Sequence, residues 1–201
     1  MRFRLGGVSI RISFFFCLLL SLLILFDNGT IFAAFWMVCA HESAHLFAMK
    51  LCGVPLKEVS LEPFGILIKK EEISLGFARR LCIIFAGCFA NFLLAGGCFL
   101  IGFLANNPLL LKLFFINLGI AVINLLPITG LDGGQAFLEI ISRLKKDKDA
   151  VAIGKTVSAT LCVILFVIGI IICVKVRLNP SLCLLSFFLL VQTFTGGLNK
   201  N

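Results

Sequence analysis

Apolar residues in this chain come in long, nearly unbroken runs, and charged residues gather in short blocks between them. Runs at about 12–26, 31–49, 81–104, 110–127, 156–174 and 181–196 predict about six membrane-spanning helices, because about 20 apolar residues cross a bilayer. Two stretches break the pattern. Residues 55–72 (PLKEVSLEPFGILIKKEE) place the β-type residues Val59, Leu61, Ile66 and Ile68 around a turn signal, Pro63-Phe64-Gly65. They predict a short β-hairpin, either dipping into the membrane edge, where non-helical backbone needs shielding, or lying in the cytoplasm. Residues 132–149 predict an amphipathic helix through Ala136, Phe137, Ile140, Ile141 and Leu144. The basic N-terminus ahead of the first run also allows a signal peptide, although cleavage near Ala33-Ala34 would cut into the second run.

The fold class expected is therefore an all-α polytopic membrane protein with a membrane-edge hairpin, a single membrane-embedded domain over 1–201. Composition agrees: 60% of residues are hydrophobic, 14% are charged, and mean hydropathy is +1.12. The net charge of +8 sits in blocks beside apolar runs, which sets topology and meets anionic lipid rather than nucleic acid. Placing the N-terminus in the cytoplasm leaves only Lys112, Lys175 and Arg177 on the far side, so both termini are predicted to be cytoplasmic. The nine cysteines include no CxxC pair and fall mostly within apolar runs, where they pack as small hydrophobes.

Chemistry enters at His41-Glu42-Ser43-Ala44-His45, which contains both histidines of the chain and lies in the second run. Residues i and i+4 share one helix face, so His41 and His45 can offer two imidazole nitrogens to one metal ion. Glu42 follows as a general base for a water acidified by that metal. Polar groups at bilayer depth cost roughly 2.5–3.5 kcal/mol for a mid-membrane Asp, so their presence points to use. A catalytic zinc site takes three protein ligands, and no third histidine exists. Among the acids, Asp132 closes the fourth run in Asn124-Leu125-Leu126-Pro127-Ile128-Thr129-Gly130-Leu131-Asp132-Gly133-Gly134. Pro127 and Gly130 break the helix there, so this carboxylate can be aimed inward. Capping of the next helix explains Asp132 equally well, and the two roles are compatible.

HESAH, Pro63-Phe64-Gly65, Gly87-Cys88-Phe89-Ala90-Asn91 and NLLPITGLDGG together resemble the site-2 proteases, a family of intramembrane zinc metallopeptidases. The resemblance covers nearly the whole chain. It looks most like the sporulation branch that processes a membrane-associated pro-sigma-K factor. It implies one zinc ion held by His41, His45 and Asp132, with Glu42 as catalytic base. It further implies Asn124, Gly65, Phe64 and Asn91 near the substrate, a membrane-associated protein substrate, and regulatory membrane proteins as partners. Two departures stand out. Cys88 replaces the proline common after the motif glycine, which weakens a specific role for Asn91. The chain given also stops at Asn201 with no nucleotide-sensing CBS domain and no PDZ insertion, so regulation through such a module is not implied. A metal transporter would need a path of ligands that this sequence lacks. An inactive chaperone would have no use for Glu42.

Overall fold

The computed structural model describes residues 2–5, 8–12, 29–62, 65–70, 75–175 and 181–195. The run predicted as the first span, 12–26, falls outside them apart from Ile12, as do Pro63 and Phe64 of the predicted turn. Contacts divide the chain into two compact units, Met1–Ala121 and Val122–Asn201.

The first unit holds a four-stranded sheet in the order β1 (Arg2–Leu5), β2 (Val8–Ile12), β3 (Leu56–Glu62), β4 (Gly65–Lys70). β1–β2 and β3–β4 are antiparallel, with Val59 opposite Ile68 and Leu61 opposite Ile66. β2 and β3 run parallel, pairing Ser9 with Glu58 and Ile12 with Leu61. The strands correct the all-α expectation. The segments RFRL and VSIRI alternate polar and apolar residues with the period of two that a strand requires, although their arginines also mark topology.

Helix α1 (Thr30–Leu51) links β2 to β3 in sequence, and α2 (Phe77–Leu104) follows the sheet. The end of α1 is sharply defined. Gly53 at φ 73° donates to the Lys50 carbonyl, and Val54 N–H donates to the Met49 carbonyl. That is a Schellman termination, and its hydrophobic contact is present, since Val54 packs with Met49, Ala48 and Ile83. The cluster fastens the last turns of α1 to the first turns of α2. A second tight turn joins α2 to α3 (Pro108–Asn124). Asn106 at φ 49° ends α2, while the Asn107 side chain accepts from the Leu109 and Leu110 N–H groups. Asn107 is thus the N-cap, with Pro108 at the first helical position.

The second unit contains α4 (Asp132–Leu144), α5 (Asp147–Lys175) and α6 (Ser181–Thr195). α5 and α6 pack closely, with no room for a Cβ at Gly169 against Cys183. Their small core, Ile128, Cys162 and Leu189, takes in a side chain from the loop before α4. By length and composition, Phe77–Leu104 and Lys148–Lys175 are able to cross a membrane, and Pro108–Asn124 and Leu182–Thr195 are shorter apolar helices. The outward face of α5 presents Val163, Ile164, Val167, Ile168 and Ile171, an aliphatic surface suited to hydrocarbon.

Candidate metal centre

His41 and His45 lie one turn apart on α1, and both are buried. Their Nε2 atoms face each other at 3.1 Å. The His45 Nδ1–H donates to the Ile83 carbonyl at 2.8 Å, which leaves a lone pair on its Nε2. Two imidazole nitrogens at that distance need a proton or a cation between them. Tetrahedral zinc with Zn–N bonds of about 2.0–2.1 Å sets its nitrogen ligands roughly 3.3 Å apart, so the spacing fits the metal.

The opposite wall is a turn of α2. Ile83 supplies the carbonyl, and Gly87, one turn later, supplies space. A Cβ added at Gly87 would lie under 3.0 Å from both Nε2 atoms and from His41 Cε1. Cys88, Asn91 and Ala95 continue this buried strip of small residues. Asn91 is fully buried, and neither amide atom of its side chain has a hydrogen-bond partner among the described residues. Glu42 is half-buried beside His41.

The second unit positions Asp132 by an irregular loop. Asn124, half-buried, is the last residue of α3. Ile128 N–H donates to the Leu126 carbonyl at 2.7 Å, and Leu131 N–H donates to the Ile128 carbonyl at 3.0 Å. Gly130, at φ +100°, takes the third position of the latter turn, where a positive φ is required. The loop then folds over the start of α4: a Cβ at Gly133 would strike the Leu125 and Leu126 carbonyls, and one at Gly134 the Ile128 carbonyl. The cap position of α4 is Leu131, without a side-chain bond, and Asp132 is buried in the first turn. Asp132 is therefore not the N-cap; its charge still suits the positive end of the helix.

His41 and His45 in the first unit and Asp132 in the second are each buried, and their side chains are of the types that bind zinc. Gly65 begins β4, opposite Glu62. Sequence reasoning missed the structural jobs of Ile83 and Gly87. The signal available was the spacing of Gly87, Asn91 and Ala95, which predicts one narrow helix face against a close neighbour.

Two imidazole nitrogens in this arrangement can hold a zinc ion. Residues 105–168 match Peptidase family M50. The chain is 29% identical to Zinc metalloprotease MJ0392 of Methanocaldococcus jannaschii over 92% of its own length, and spans 57% of that relative. Its fold is similar to the solved Site-2 Protease from Methanocaldococcus jannaschii, with TM-score 0.70 and 24% identity over 97% of this chain and 94% of that one. The family match covers about a third of the chain, and the likeness to the solved structure is one of fold.

Proposed function

We propose that this chain is an intramembrane zinc metalloendopeptidase that cuts a membrane-associated protein near the cytoplasmic face. The observation that carries the reading is the facing pair of imidazole nitrogens, one of them left with a lone pair by the bond from His45 Nδ1–H to the Ile83 carbonyl. His41, His45 and Asp132 hold the metal. When bound, zinc supplies Lewis acidity toward the scissile carbonyl and acidifies water. Glu42 accepts the proton of the attacking water and returns it to the leaving amine nitrogen. Asn91 and Asn124 serve as polar partners for substrate peptide groups that have lost their own hydrogen bonds. β4, at the end of the sheet order and beginning at Gly65, receives the extended substrate as an added strand.

The aliphatic outer surface of α5 and the length of α2 and α5 support a multi-pass location in the cell membrane. The distribution of Lys and Arg supports cytoplasmic termini. The resemblance of the motifs favours a pro-sigma factor of the sporulation type as substrate, with membrane proteins controlling access. The test is purified protein with zinc and pro-sigma-K. Shortening of the substrate that stops with chelator is expected. Glu42→Gln should keep its zinc and lose about 10²–10⁴-fold in rate. Near-normal turnover in Glu42→Gln would remove the peptidase mechanism. Cleavage of anti-sigma membrane proteins but not pro-sigma-K would overturn the sporulation assignment alone.

A further inference from the structure

We propose that Ser158 on α5 and Thr193 on α6 are positioning residues for Asp132, acting through a one-way hydrogen-bond relay that ends on the peptide N–H of Thr129. The proposal rests on the reading of Asp132 as a metal ligand. Both hydroxyl residues are fully buried. Thr193 Oγ1 donates to the Leu189 carbonyl at 2.8 Å, which uses its only hydrogen. Ser158 Oγ lies 2.9 Å from Thr193 Oγ1 and must therefore be the donor of that bond. Ser158 Oγ in turn accepts the Thr129 N–H at 2.8 Å. With Thr193 donating to Leu189, the relay runs from Thr129 through Ser158 to Thr193, and Cys162 also lies within hydrogen-bond reach of Thr193.

A relay that served only to join α5 to α6 would have no need to reach Thr129. It holds the loop, and it does so at the middle of three consecutive anchored residues. Ile128 is buried in the core formed by α5 and α6, Thr129 is held by its N–H, and Gly130 lies directly against the Gln192 amide. Between Thr129 and Asp132 little slack remains. Leu131 N–H closes the turn onto the Ile128 carbonyl, and the Leu131 carbonyl accepts from Gln135 N–H. In an apolar surround an unpaired Thr129 N–H would seek another acceptor, and a shift of that peptide carries directly to the first residue of α4.

Zinc retention against a chelator titration, with thermal melting in detergent alongside, tests the idea. Ser158→Ala and Thr193→Val, which keep shape and lose the hydroxyl, should each lose zinc about tenfold more readily, as when partners of metal ligands are removed. The double variant should be no worse than either single one, because they interrupt one relay. Thr193→Ser, which keeps the oxygen, should behave like wild type. Gly169→Ala disturbs the same helix pair at Cys183, away from the loop, and should melt lower with wild-type zinc retention. Unchanged zinc retention in Ser158→Ala, or zinc loss that tracks melting temperature across all variants including Gly169→Ala, would overturn the proposal. Asp132→Asn tells the two readings apart. If it keeps zinc, the ligand assignment and the relay fall together; if it loses zinc while Ser158→Ala does not, only the relay falls.

Discussion

Gly87→Ala is a substitution for which helix physics and site geometry predict opposite signs. In a helix interior, Ala is more favourable than Gly by about 1 kcal/mol, so the bare protein should be no less stable, or slightly more. The added methyl, however, would lie 2.5 Å from His41 Nε2 and 2.6 Å from His41 Cε1, and as close to His45 Nε2. Ordinary contact begins at 3.4 Å, so the rings must retreat by about 0.9 Å (3.4 minus 2.5). Metal–ligand distances tolerate about 0.2 Å, several times less than that displacement. Zinc per chain by elemental analysis, chelator competition, and melting of the zinc-free protein together check this. Expected are zinc retention weakened by at least about tenfold, cleavage lost, and apo melting unchanged or raised. Zinc retention equal to wild type would refute the reasoning. So would a clear fall in apo stability, because it would mean that the helices, not the rings, had given way.

Ile128→Ala should destabilise the protein by about 2–5 kcal/mol, measured as a shift in denaturant midpoint, since Ile128 is fully buried. Gly130→Ala should cost about 1–3 kcal/mol, because its φ of +100° strains any side chain and the methyl meets Gln192. Asn107→Ala removes the N-cap of α3 and should cost about 1 kcal/mol in melting while leaving zinc content untouched.

The parts legible in the sequence are those with a strong local signature. The i, i+4 histidine pair placed both rings on one face of α1 before any tertiary information was needed. The helical segments at 31–49, 81–104, 110–127, 156–174 and 181–196 correspond to α1, α2, α3, α5 and α6, because long apolar runs carry their own signal. The starts of helices were harder. α5 begins at Asp147, well before its apolar run, since acidic residues suit the positive end of a helix and lysine propagates one as readily as leucine does. The sheet was underestimated because pairing is non-local. Nothing near Val8–Ile12 announces that it lies beside Glu58–Leu61. The relay through Ser158 and Thr193 was invisible for the same reason, two ordinary hydroxyls 35 residues apart.

The hydrogen bond from His45 to the Ile83 carbonyl also bears on how metal is acquired. That bond fixes the tautomer and the ring orientation through helix packing, so rotational freedom is surrendered during folding and little is left to lose when an ion arrives. A pocket ordered in this way loads without a conformational search. The zinc-depleted protein should therefore recover its metal, and whatever activity depends on it, on simple remetallation, with no unfolding and refolding cycle.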